Sequence, residues 1–234
     1  MPAALAILAA VMGGAPAARA TVCPKMAGAE ARLAEQEPRA RLLWIDAHLS
    51  RTGHTARLWA WSWGVGIGAS GVASLAVVPL VARGDRVDWY TSAGSAAVGV
   101  LPFLFAPLYV AADSRVLHGK VEAWRAAERE DEVCALLSDA ESRLLRDADD
   151  EREQQAWWLH AGNLAFNAGV TLFLGFGFHH WTSGLINGIA GAAVGEALIL
   201  TQPTQTIDDL AGYRRGELVP PAPQHLALGY AVGF

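Results

Sequence analysis

Only a handful of residues in this chain combine a reactive type with a spacing that could do chemistry. His160, Asn163 and Asn167 recur at i, i+3 and i+7, which puts an imidazole and two carboxamides on one face of a helix. Glu196 stands in the next apolar run, among Gly, Ala, Val and Leu. An ionisable side chain inside a membrane span is costly and is a functional hypothesis by default. Together these four residues could bind a cation, relay protons or hold a polar ligand. The plainer alternative is a hydrogen-bonded cluster that fixes helix register. It is preferred, because Glu196 lies near the end of its run, where a carboxyl is less costly.

The remaining candidates are weaker. His179 and His180 could hold a metal, but two adjacent histidines with no Cys or acid beside them read as a polar turn. They cannot reach His160, since His179 lies nineteen positions after it, roughly 28 Å along a helix. Asn187 sits at the far end of its run from Glu196. The chain carries no phosphate-binding G-x-x-x-x-G-K, no H-E-x-x-H and no G-x-S-x-G. No catalytic residue, metal ligand or cofactor is assigned, and an enzyme is not the expectation. A net charge of -5 argues against nucleic acid as a partner.

The elements that must position the four residues are apolar helices. Of 234 residues, 53% are hydrophobic and 18% charged, against roughly 25% charged in a soluble domain. Residues 58–82 and 89–112 contain no Asp, Glu, Lys or Arg. Four spans are predicted, at Leu58–Ala82, Trp89–Ala112, Trp157–Phe178 and Trp181–Gln202. They form two similar pairs, 58–112 and 157–202, each with a Trp at the start of both runs and a short break between them. Trp89-Tyr-Thr-Ser-Ala-Gly94 is echoed by Trp181-Thr-Ser-Gly184, which reads as an internal duplication. Aligned on these tryptophans, Val65 matches Asn163 and Leu104 matches Glu196, so the polar cluster belongs to the second copy alone. Asn163 and Glu196 each lie six residues inside their runs, roughly 9 Å deep, and therefore at one level. Gly64 and Gly68, Gly184 and Gly188, and Gly191 and Gly195 are four apart, a spacing that lets helix backbones approach in lipid.

The rest of the chain is amphipathic. Residues 1–20 resemble a secretory signal peptide with an Ala18-Arg-Ala20 cleavage pattern. Residues 24–37 are expected to be helical as far as Pro38, and residues 39–57 form an amphipathic helix that Gly53 bends or ends. Residues 113–156, with apolar Val121, Trp124, Val133, Leu137 and Leu144 at helical spacing, form one long helix or a helix pair. Pro102 and Pro107 are expected to kink the second span. Residues 203–234 make a polar tail whose last residues alternate from Leu226 to Phe234.

The expected fold is all-α: an integral membrane four-helix bundle of two tandem helical hairpins, with an extracytoplasmic amphipathic helical cap from 21–57 and 113–156. Export of the N-terminus and Arg83 and Arg86 in the inner turn place cap and tail outside, in the inner membrane of a bacterial-type envelope. Cys23 and Cys134 then share an oxidising compartment and are expected to form a disulfide. The two pairs should relate by a pseudo-two-fold axis along the membrane normal. The expected partners are the lipid bilayer and other membrane proteins or further copies of the chain. The expected role is a structural or accessory subunit, with a small transporter or channel as the alternative.

Overall fold

The computed structural model describes residues 23–24 and 26–220. The expected signal segment 1–20 and the alternating stretch from Leu226 to Phe234 lie outside the described residues. Within them every regular element is a helix: α1 (Ala31–Ala34), α2 (Pro38–Val77), α3 (Arg86–Phe105), α4 (Tyr109–Ala127), α5 (Val133–Glu153), α6 (Trp157–Phe178), α7 (Trp181–Leu200) and α8 (Gln205–Arg214).

Helix α2 runs unbroken for 40 residues, about 60 Å, or twice the hydrocarbon thickness of a bilayer. Pro38 opens it, with φ already set for the first turn. Its two halves differ in what they touch. Leu42, Ile45, Leu49 and Ala56 are wholly buried, whereas Leu58, Trp61, Val65 and Val72 are all more than half exposed. The expected bend at Gly53 is absent. A Cβ there would lie 2.7 Å from the Val110 carbonyl and run into Ser114, so this glycine lets α4 cross close to α2. The expected helix over 24–37 shrinks to α1.

The chain then turns through two short 3-10 segments, Val78–Leu80 and Arg83–Asp85, into α3. Pro102 stays inside α3, and the break comes at Pro107 instead of a kink. The Ala106 amide bonds back to Pro102 O, while Pro107 has no amide to continue the ladder. Residues 109–112, expected within the second span, are therefore the first turn of α4. Between α4 and α5, Glu128 takes a left-handed conformation (φ 52°), so residues 113–156 form a helix pair.

Four helical segments are long and apolar enough to cross a membrane: Pro38–Leu80, Arg83–Ala127, Trp157–Phe178 and Trp181–Arg214. Only 11–17% of their apolar stretches is buried inside the protein. Surface of that extent is not stable in water and calls for lipid. The chain is thus a multi-pass membrane protein. Among these helices α2 packs along α3 and α6 along α7, and α3 touches α6 and α7 more sparingly.

The buried core lies beyond the apolar stretches of these segments, where the first half of α2 meets α4, α5 and α8. Leu42, Ile45, Leu49, Leu117, Val121, Leu137, Leu144 and Leu210 fill it. Cys23 and Cys134 are joined as a disulfide with Cα atoms 5.2 Å apart, tying the leading segment to α5. A polar pin crosses the same core: buried Arg41 pairs with Glu141 and donates to the Tyr213 hydroxyl at 3.0 Å. Tyr213 in turn donates to Glu141 at 2.5 Å, so α2, α5 and α8 are locked together.

Candidate functional site

The candidate site forms on α6 and α7. Helix α6 ends where His179 enters the left-handed region (φ 59°), and α7 begins at Trp181. This tight reversal lays the two helices side by side and sets which faces meet.

His160, Asn163, Asn167 and Thr171 form one ladder along α6. Glu196 on α7 closes its upper end. His160 Nδ1 lies 2.6 Å from Glu196 Oε2. Asn163 Nδ2 donates to Glu196 Oε1 at 2.9 Å and to the Ala192 carbonyl at 3.0 Å. Asn167 Nδ2 donates to Asn163 Oδ1 and to Asn163 O, both at 2.9 Å. Thr171 Oγ1 donates across the seam to the Gly184 carbonyl at 3.0 Å. All four predicted residues are therefore brought together.

The facing side of α7 is a stripe of glycine. A Cβ on Gly184 would lie 2.8 Å from the Thr171 carbonyl, and one on Gly188 2.9 Å from the Asn167 carbonyl. A Cβ on Gly191 or Gly195 would run into the side-chain oxygen of Asn167 or Asn163. Each rung of the ladder thus occupies space that a glycine leaves open. Asn167 is buried, but the Glu196 and His160 side chains remain 29% and 32% exposed. The ladder is closed along its length and open at its carboxylate–imidazole end.

Two further polar junctions join α6 and α7 to α2 and α3. At the Glu196 end, the Trp59 and Trp63 indoles donate to Thr201 Oγ1 at 3.2 and 3.1 Å. At the opposite end, His180 Nδ1 lies 2.7 Å from Asp88 Oδ1, and Ser92 donates to Asn187 Oδ1 at 2.6 Å. Asn187 is separate from the ladder, as its depth in the sequence requires, and His180 is not a bare turn residue. Asp88 and Ser92 escaped the sequence reading. A signal for Asp88 was present: Asp88 and His180 each stand immediately before the Trp that opens the second run of its pair.

Away from the apolar stretches, the core holds an unusual acidic group. Asp113 is bonded by Arg143 at 2.7 Å and also pairs with Arg146. Asp147 is fully buried beside it, and neither of its carboxylate oxygens has a hydrogen-bond partner among the described residues. Burial, reinforced by Asp113, pushes the Asp147 carboxyl up to about 9. Glu151 is buried as well and accepts from Thr206 Oγ1 at 2.6 Å. Burial raises it to about 7 in spite of that bond. No group of three or more His, Cys, Asp or Glu with metal-binding geometry occurs among the described residues.

No family model, curated protein or solved structure matches the chain. Its role therefore rests on the geometry.

Proposed function

We propose that this chain is a structural or accessory subunit of a bacterial-type envelope complex. It would sit in the inner membrane as two tandem hairpins, α2–α3 and α6–α7. The core of α2, α4, α5 and α8 would form an extracytoplasmic cap. The disulfide supports an oxidising compartment for that core. The pairing of Asp88 with His180 supports the duplication, because repeat-equivalent residues meet at the axis of a pseudo-two-fold arrangement.

One observation carries the reading: the polar residues of the candidate site are spent on architecture. Asn163, Asn167 and Thr171 bond to the backbone of α6 and α7 and to each other. Amides neither gain nor lose protons near neutral pH, so the ladder holds two helices together and passes nothing along. What stays available is the Glu196–His160 end, about a third exposed at bilayer depth. A polar edge left to lipid is costly, and a helix of another subunit or a second copy of the chain would cover it. Specific observation also supports transport as a second reading, since Glu196 and His160 are both proton-exchanging groups in direct contact.

The deciding experiment is purification from the native membrane in mild detergent, with mass analysis of the intact assembly. A stoichiometric companion or a defined oligomer is expected, and Glu196→Gln should release it while the Cys23–Cys134 disulfide still forms. A monomer that carries protons into liposomes, and stops doing so as Glu196→Gln, would overturn the scaffold reading in favour of transport.

A further inference from the structure

Two arginines stand at the ends of apolar stretches, and the fold brings them together. Arg57 is the last charged residue before the charge-free stretch 58–82, and Arg115 lies three positions beyond the charge-free stretch 89–112. Helix α4 crosses α2 at Gly53, where the missing side chain admits Ser114 and the Val110 carbonyl. The crossing is antiparallel, since Asp46 meets His118 while Arg57 meets Ala111. Arg57 Nη1 donates to the Ala111 carbonyl at 2.8 Å and to Ser114 Oγ at 3.1 Å. Arg115 follows Ala111 by one helical turn, and its charge repels that of Arg57. Two guanidinium groups are thus gathered at the level where both apolar stretches begin.

Neither has a counter-charge among the described residues. The acids on the two helices around them are committed elsewhere. Asp46 pairs with His118 at 3.2 Å, Asp113 with Arg143 at 2.7 Å and also with Arg146, and Glu122 with Arg125 at 2.5 Å. Like charges held close together repel, and the more strongly as the surroundings become less polar. An anion seated between them turns that repulsion into two attractions. Arg57 spends one nitrogen on α4, but a guanidinium carries five N–H donors. Its planar fork matches the oxygens of a phosphate.

The surface beside the pair is apolar. Trp61 follows Arg57 by one turn and is 72% exposed. Leu58, Val65 and Val72 share the face of Trp61 and are all more than half exposed. An acyl chain laid along this stripe would put its headgroup at the arginines, with the indole at the interfacial depth that tryptophan prefers. Free phosphate or an acidic protein side chain would use the charge alone, whereas a lipid uses both the charge and the stripe. A zwitterionic lipid brings its own cation, so a headgroup with net negative charge fits the unmatched pair better.

We propose that Arg57 and Arg115 form a binding site for an anionic phospholipid, with the phosphate between them and an acyl chain along Leu58, Trp61 and Val65. The site is set by the boundary of the apolar stretches and holds for either orientation of the chain in the membrane.

The full chain is stripped of native lipid in mild detergent and titrated with dioleoyl phosphatidylglycerol or dioleoyl phosphatidylcholine. Retained lipid is counted by mass analysis of the intact protein. Phosphatidylglycerol should saturate at one tightly held molecule per chain and be preferred about tenfold over phosphatidylcholine, the weight of one hydrogen bond between charged groups. Arg115→Gln should weaken phosphatidylglycerol binding by about the same factor. Arg115 is exposed and without an ion pair among the described residues, so this variant leaves the fold intact. Arg57→Gln should act alike, and Arg125→Gln, which removes a charge further along α4, should change nothing. Equal retention of the two lipids, undiminished binding in Arg115→Gln, or an equal loss in Arg125→Gln would each overturn the proposal. So would a protein companion from the native membrane that Arg115→Gln releases while lipid binding stays unchanged, because the arginines would then serve a protein contact.

Discussion

Gly184→Ala tests the seam on which the candidate site is built. The added Cβ would lie 2.8 Å from the Thr171 carbonyl oxygen, 3.4 Å from Thr171 Cα and 3.3 Å from Leu174 Cβ. Two of these are backbone atoms of α6, so no side-chain rotation relieves the contact and the helices must part. Overpacking of this kind costs about 2 to 3 kcal/mol. Opening the seam also weakens the Thr171 bond to Gly184 O, worth about 0.6 kcal/mol in a membrane protein. Alanine recovers about 1 kcal/mol through its helix propensity. The net loss is therefore about 2 kcal/mol. Gly169→Ala is the matched control, because nothing lies within 4 Å of a Cβ at that position on α6. It should be neutral, or more stable by up to about 1 kcal/mol. The two variants should thus differ by roughly a hundredfold in folding equilibrium, at about 1.4 kcal/mol per factor of ten. The assay is reversible unfolding in mixed micelles by titration with a denaturing detergent, followed by loss of helical signal. If Gly184→Ala and Gly169→Ala shift the midpoint equally, or Gly184→Ala matches the wild type, α6 and α7 do not meet face to face here. The ladder of Asn163 and Asn167 would then lose its basis.

Two other expectations concern the α2/α4/α5/α8 core. The disulfide closes a sequence separation of 111 residues, for which the chain-entropy model gives about 5 kcal/mol. Cys23→Ser with Cys134→Ser should lower stability by at most that amount, and alkylation of either wild-type cysteine under denaturing, non-reducing conditions would contradict the pairing. Stability should also decline with rising pH, because the folded protein keeps protons that the unfolded chain releases. The window is from 3.8 to about 9 for Asp147 and from 4.5 to about 7 for Glu151. The contribution of each neutral carboxyl is complete below its window and lost as pH rises through it. Asp147→Asn should remove the part of the slope above neutrality and stabilise the alkaline protein; denaturation midpoints across that pH range that keep the wild-type slope would refute this.

Amino-acid order alone made the four apolar helices and their lipid solvent legible. A span is a local property: a run of apolar residues long enough for a bilayer is visible without knowing what it touches, and Trp and charge mark its ends. The level shared by Asn163 and Glu196 was likewise a matter of counting six residues inward from the outer ends of two successive runs. That Cys23 and Cys134 could pair was legible because the chain has no other cysteine, and the fold brings them together.

Tertiary structure decided what those residues do. The glycines of α7 and the asparagines of α6 were each legible as a pattern, but that one seats the other is a fact about two faces in contact. Gly53 looked like a helix breaker because its reason, the approach of α4 at Val110 and Ser114, lies far along the chain. The pin of Arg41, Glu141 and Tyr213 draws on residues 100 and 172 positions apart, and nothing local distinguishes them from solvated charges. The same holds for His48, which as a sequence is one more histidine on an amphipathic helix. Only folding gives it Asp209 on one side and Val219 on the other. Propensity and hydropathy act over neighbouring residues, whereas the meaning of a polar side chain is set by whichever partner the fold delivers to it.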